Sequence, residues 1–286
     1  MLRQLLVASR PLSWVNTAYP FALAYLLLAQ PVHAGVLVVG VVYFLVPYNL
    51  AMYGINDVFD YESDLRNPRK GGVEGAVLDP RYHRPILVAV VVTNVPFLIA
   101  LVAFGGPVSW LVLAVSVVAV VAYSVAGLRF KERPVLDSVT SSTHFVSPAV
   151  YGAALAGSAL DARAVLLLAA FFCWGMASHA FGAVQDVPAD RAGGIASIAT
   201  VFGARPTVRL AGALYLAAGV LALISGWPTA LAALVALPYL AMVAPYLRIT
   251  DAGAERANGG WRRFLAINYV AGFAVTLLAI GAAIAG

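Results

Sequence analysis

The chain has 286 residues, 62% of them hydrophobic and only 11% charged, and its mean hydropathy is +0.88. Soluble domains carry about 25% charged residues, so this composition excludes a water-soluble globular enzyme and indicates an integral membrane protein. The net charge of +5 needs no nucleic acid, because basic residues gathered beside anionic headgroups explain it, and the single cysteine, Cys173, excludes an internal disulfide and a Cys-based metal site.

Apolar runs that approach or exceed the ~20 residues a span requires lie at 14–30, 34–55, 85–104, 108–126, 136–157, 164–184, 207–225, 228–247 and 264–285. They predict an all-α membrane protein, a single domain over residues 1–286 built as one bundle of nine transmembrane helices. The first is expected to be retained, because "MLRQLLVASRPLSW" shows no apolar region followed by a small-residue cleavage site. The fifth is polar in its first half, from Asp137 to His144. With the N-terminus inside and the C-terminus outside, 17 of the 18 Lys and Arg residues fall on the inner side, Arg163 alone lying opposite. The outer connections are short turns. The inner ones are longer and hold nearly every residue capable of chemistry, which puts the expected site on the cytoplasmic face of the cell membrane.

The second span ends in "NDVFDYESD", residues 56–64, with four carboxylates in eight positions. If the helix continues, about 100° per residue places Asn49, Tyr53, Asn56, Asp60 and Asp64 along one face, with Asp57 beside them and Glu62 on the opposite flank. The sixth span ends in "DVPAD", where Phe172, His179, Asp186 and Asp190 align in the same way and Pro188 is expected to end or bend the helix. Clustered carboxylates repel by several kcal/mol at an effective dielectric near 20, so a cation should compensate. Asp and Asn oxygens without Cys specify a hard ion, which suits Mg2+ completed by water and phosphate. Arg66, Arg69, Lys70 and Arg84 follow the first acids, Arg129 and Lys131 end the fourth span, and Arg191 follows the second acids. Acids and cations together read as a clamp for a diphosphate. No G-x4-G-K-[ST] loop is present, which excludes a P-loop nucleotide site.

These segments resemble the UbiA superfamily of intramembrane prenyltransferases. "NDVFDYESD", "DVPAD", "RPLSW" at residues 10–14, "RPI" at 84–86 and "YSVAGLRFK" at 123–131 match that pattern in order and position over nearly the whole chain. The resemblance implies Asn56, Asp60, Asp64, Asp186 and Asp190 as metal ligands, with Asp57, Asp60, Asp186 and Tyr123 at the catalytic centre. It implies Asn56, Arg84, Arg129 and Lys131 as diphosphate contacts, and Arg66 and Lys70 join them here by their place directly after the first acids. Val125, Ala126 and Gly127 stand where many members have a proline-containing turn, and "GGVEGAVLDPRYH" lengthens the loop before "RPI".

"GINDVFDYESDLRNPRKGG" looks most like the lycopene elongase branch, which implies an allylic diphosphate donor such as dimethylallyl diphosphate and an acceptor drawn from the bilayer, the ends of lycopene. An aromatic, quinone-precursor or tetrapyrrole acceptor is the alternative. His179 offers a proton acceptor or a structural hydrogen bond. A cation-coupled transporter is the reading from another class, and it predicts acids near mid-span. Here 12 of 13 acidic residues lie at or beyond inner helix ends, Asp161 being the exception.

Overall fold

The computed structural model describes residues 1–65 and 77–285, and every regular element among them is helical. In lipid each backbone N–H and C=O must be satisfied within its own segment, and apolar helices achieve this without an external partner. Among the described residues, seven segments are long and apolar enough to cross a membrane: Ala34–Phe59, Pro80–Phe104, Pro107–Ser124, Ala162–Val184, Ala204–Leu223, Thr229–Tyr246 and Asp251–Ala283. Two of the nine expected spans fall outside that set. Val15–Leu28 is short at 14 residues, and Leu136–Leu155 reaches 20 residues but carries the polar run from Asp137 to His144.

Contacts gather the chain into two compact units. The first comprises Met1–Phe130 and Thr143–Ala159. It holds α1 (Leu2–Ser9), α2 (Val15–Leu28), α3 (Ala34–Leu45), α4 (Pro47–Phe59), α5 (Tyr61–Asp64), α6 (His83–Phe104), α7 (Pro107–Ser124) and the later turns of α8 (Leu136–Leu155). The second predicted span is broken between α3 and α4, where Pro47 has no N–H to donate. Fully buried Asn49 repairs the break: its Nδ2 donates to Phe44 O at 2.8 Å, Leu45 O at 3.1 Å and Thr17 Oγ1 at 2.7 Å. Asn49 is therefore an internal cap at the break.

An aromatic cluster fills this unit, with the Phe44 ring 5.2 Å from both Phe21 and Tyr48 and Tyr151 6.1 Å from Phe21. A Cβ at Gly152 would stand 2.6 Å from Phe21 O, so only glycine lets α8 close on α2 there.

The second unit comprises Lys131–Ser142 and Leu160–Gly286. It holds the first turns of α8, then α9 (Ala162–Val184), α10 (Val187–Ala192), α11 (Ile198–Phe202), α12 (Ala204–Leu223), α13 (Ala236–Val243) and α14 (Asn258–Ala285). α12 packs along α9 through buried alanines at 170, 177, 211, 218 and 222. Tyr215 stacks on Tyr239 at 5.1 Å, and Trp174 meets Tyr239 edge-on at 5.8 Å. The eighth predicted span is not a single α-helix. The 3-10 segments Thr229–Val235 and Ala244–Tyr246 flank α13, and Pro228, Pro238 and Pro245 each withhold an N–H along that stretch.

Candidate active site

α4 ends at Asp60, whose φ of −101° and ψ of 0° lie in the sparsely allowed bridge region that active-site residues often occupy. The backbone ladder nevertheless continues: Asp60 N donates to Asn56 O at 2.9 Å and Asp64 N to Asp60 O at 2.8 Å. The expected stripe of Asn56, Asp60 and Asp64 thus survives the bend. Asp57, Asp60 and Asp64 are buried, while Glu62 is exposed and stands apart.

Each acid draws partners from distant sequence. Arg10, in left-handed backbone at φ 49° after α1, donates from Nη2 to Asp57 Oδ1 at 2.6 Å and lies 4.3 Å from the centre of the Tyr53 ring. Asp57 has no solvent exposure, so this pairing holds its charge in place. The sequence gives Arg10 only a topological role; its signal was the "RPLSW" segment. Arg129, also at positive φ (40°), places Nη2 3.7 Å from Asp60 Oδ1 and donates from Nη1 to Phe59 O at 3.4 Å. Asn56 Nδ2 donates to Ser124 Oγ at 3.0 Å, so its amide oxygen is the atom left for a cation. The "YSVAGLRFK" segment therefore meets the end of α4 at both Ser124 and Arg129.

Tyr123, on the same segment, meets His144 edge-on with ring centres 5.2 Å apart. Arg84 is exposed on the first turn of α6 and makes no hydrogen bond or ion pair with described residues. Its neighbour His83 packs edge-on against Tyr61 of α5 at 5.0 Å. Arg66 and Lys70, and with them Arg69, lie outside the described residues.

In the second unit α9 ends at Val184 and Asp186 adopts φ −91°, ψ −8° before α10, which carries Pro188 in its first turn. Asp190 N donates to Asp186 O at 2.8 Å. This is the Asp60–Asp64 geometry again: an aspartate at a helix junction, a second one four residues on, and a 2.8 Å backbone bond joining them. Asp186 and Asp190 are both half-buried. The structural correspondence is Asp60 with Asp186, where matching "NDV" to "QDV" in sequence sets Asp60 against Ala189. Arg191, which the sequence groups with the clamp, is engaged by Asp251 and Thr200. Its Nη1 pairs with Asp251 at 2.7 Å and its Nη2 donates to Thr200 O at 2.9 Å, fastening α10 to the segment before α14. Lys131 is half-buried in the 3-10 turn Phe130–Glu132.

Among the described residues no three His, Cys, Asp or Glu side chains gather as a ready metal cluster. The donor set still fits Mg2+, which takes one or two carboxylates and fills its other positions with water and substrate phosphate: Asp60, Asp64 and the Asn56 amide oxygen on one junction, Asp186 and Asp190 on the other.

The sequence profile of the UbiA prenyltransferase family matches residues 18–268. The chain is 58% identical over 281 residues to a C50 β-cyclic carotenoids biosynthesis protein of Dietzia sp. (strain CQ4), covering 98% of this chain and 65% of that protein, so it spans about two thirds of that relative's length. It is 53% identical over 279 residues to a lycopene elongase/hydratase of Corynebacterium glutamicum, covering 98% of this chain and 97% of the relative. A solved structure of a UbiA homologue from Archaeoglobus fulgidus, bound to GPP and Mg2+, superposes with a TM-score of 0.70 over 94% of this chain and 99% of that one at 16% identity, a likeness of fold.

Proposed function

The chain belongs to the UbiA prenyltransferase family and is a prenyltransferase, and from that premise we propose that it transfers a prenyl group from an allylic diphosphate to the ends of lycopene. The observation that carries the chemistry is the recurrence of one Asp-x3-Asp helix junction in both units, each offering hard oxygen ligands. The C50 product in the name of the Dietzia relative equals a C40 polyene plus two five-carbon units, which selects dimethylallyl diphosphate as donor. Family membership sets the transporter reading aside.

In this proposal the Asn56 amide oxygen with Asp60 and Asp64 at one junction, and Asp186 and Asp190 at the other, are the residues that would hold Mg2+. The bound ion supplies positive charge that favours departure of the leaving oxygen. Arg129 and Arg84, with Lys131, Arg66 and Lys70, take up the negative charge that grows on the diphosphate as the C–O bond breaks. That charge is larger in the transition state than in the ground state, so these contacts accelerate the step rather than merely bind substrate. Asp57, paired with Arg10, fixes the end of α4 from which Asp60 projects. The Tyr123 ring, steadied by His144, faces the allylic cation and stabilises it through its π surface. Apolar helices keep water away until the acceptor alkene attacks.

The proposed topology adds α2 and α8 to the seven apolar spans, giving nine with the N-terminus inside, the C-terminus outside and both acid motifs facing the cytoplasm as one prenyltransferase domain of the cell membrane. The test is incubation of purified protein with Mg2+, a panel of allylic diphosphates, and lycopene or aromatic acceptors. Products one and two prenyl units heavier than lycopene are expected. Prenylated aromatics with unchanged lycopene would overturn the acceptor, and failure to consume any allylic diphosphate would overturn the chemistry.

A further inference from the structure

The first turn of α8 carries a carboxylate that neither acid motif claims. Asp137 is fully buried, and among the described residues no Lys or Arg forms an ion pair with it. Taking a carboxylate out of water costs several kcal/mol unless hydrogen bonds satisfy its lone pairs. Three do so. Ser138 N and Ser138 Oγ donate to Oδ1 at 2.6 and 3.1 Å, and Ile198 N, 61 residues away in sequence, donates to Oδ2 at 2.7 Å. Each carboxylate oxygen therefore accepts from a backbone N–H. An amide in the same place has a single oxygen and would turn its own N–H groups against one of those donors. The position thus calls for a carboxylate, not merely for a polar group of that shape.

Both ends of this link are fastened. On one side Ser142 Oγ donates to Phe172 O at 2.8 Å, and a Cβ at Gly175 would stand 2.4 Å from Ser142 Oγ, so α8 lies directly on α9, the helix that ends just before Asp186. Ser138 Oγ also meets His179 Nδ1 of α9 at 3.1 Å. On the other side Ile198 begins α11, where Thr200 N donates to Ser197 Oγ at 3.3 Å and Ser197 N donates to Thr200 Oγ1 at 2.7 Å. The chain that leads into α11 folds back on α10. Gly194, at φ 70°, donates from N to Arg191 O at 3.2 Å, and Ile195 N donates to Asp190 O at 2.8 Å. Asp137 joins the helix that delivers Asp186 to the loop that bears on Asp190.

We infer that Asp137 is a positioning residue for the second acid motif: it holds the Asp190 loop at a fixed offset from the end of α9, so that Asp186 and Asp190 present their oxygens to one divalent cation. The inference rests on the metal reading given under Proposed function. Mg2+ demands near-ideal octahedral geometry, so a loop that drifts loses affinity for the ion before the helices lose their packing. Groups that orient metal ligands from behind cost about 10–100-fold in metal affinity or activity when they are changed.

The test reads the Mg2+ dependence of allylic diphosphate consumption together with Mn2+ binding, the latter followed by electron paramagnetic resonance with no donor present. Asp137→Asn should raise the half-saturating Mg2+ concentration about 10–100-fold, with kcat and the donor KM recovered at saturating Mg2+. Mn2+ binding should weaken at one class of site while the Asp60–Asp64 junction keeps its affinity. Ile198→Pro removes the same link from its other end. Ser197, at φ −128° and ψ 171°, already has the extended backbone that a following proline requires, and the first position of a helix accepts proline. This variant should show the same Mg2+ shift. The double variant should be no worse than Asp137→Asn alone, because the amide then faces no N–H. A wild-type Mg2+ requirement in Asp137→Asn, a loss of kcat that is equal at every Mg2+ concentration, or unchanged Mn2+ binding overturns the inference. If Asp137→Asn does not fold, Ile198→Pro decides by the same readings, and failure of both to fold reduces Asp137 to a stability role and overturns it as well. Wild-type protein that consumes no allylic diphosphate at any Mg2+ concentration refutes the underlying metal reading instead.

Discussion

The two acid motifs share a backbone design and differ in the company they keep. Asp60 and Asp186 both occupy a helix junction in the bridge region, and each is bonded by the N–H of an aspartate four residues on. At the first junction the arginines come from elsewhere in the sequence, Arg10 to Asp57 and Arg129 to Asp60. At the second, the adjacent arginine turns away to Thr200 and Asp251. Proximity in sequence is thus a poor guide to electrostatic role: the neighbouring cation is a strut, and the distant ones attend the acids.

The comparison is testable at four levels. If both junctions hold metal, removing divalent ions with EDTA should stop allylic diphosphate consumption entirely, and Mg2+ should restore it; turnover in chelator would break the shared design. Asp60→Ala and Asp186→Ala should each lower consumption by about 10²–10³-fold in protein that still folds into membranes, and full turnover in either would make the two junctions unequal.

Arg10→Ala leaves Asp57 charged, buried and without this partner, a change that costs about 3–5 kcal/mol. Denaturant titration in detergent should show that loss, with a smaller one when Asp57→Asn accompanies it. Arg191→Ala is the mildest change, because its ion pair with Asp251 is partly exposed, at 45% and 40% for the two side chains. The expected cost is below about 1 kcal/mol with kcat retained. A large fall in kcat instead would show that Arg191 acts on substrate.

Much of the scaffold was legible because hydropathy and helical period are local. Each of the nine apolar runs coincides with helical structure, and the four-residue spacing of Asn56, Asp60 and Asp64 survives because the i to i−4 ladder runs through the bend. Pro188 ends the helix near where its missing N–H requires. Other details were hidden. Asn49 sits in register with the acids yet caps the broken carbonyls of α3, a role visible only once Pro47 is seen to separate two helices. Three prolines turn the eighth span into short helical pieces.

The sequence by itself determined that this is a membrane-embedded helical protein with two acid motifs of matching spacing, since composition, hydropathy and period need no knowledge of which helices touch. Only the tertiary structure decided what each charge does. Arg10 and Asp57 are 47 residues apart, Arg129 and Phe59 are 70, and Ser138 and His179 are 41. Buried ions and single protons are assigned by the nearest partner in space, and in an apolar interior that partner is whatever polar group the packing brings within reach.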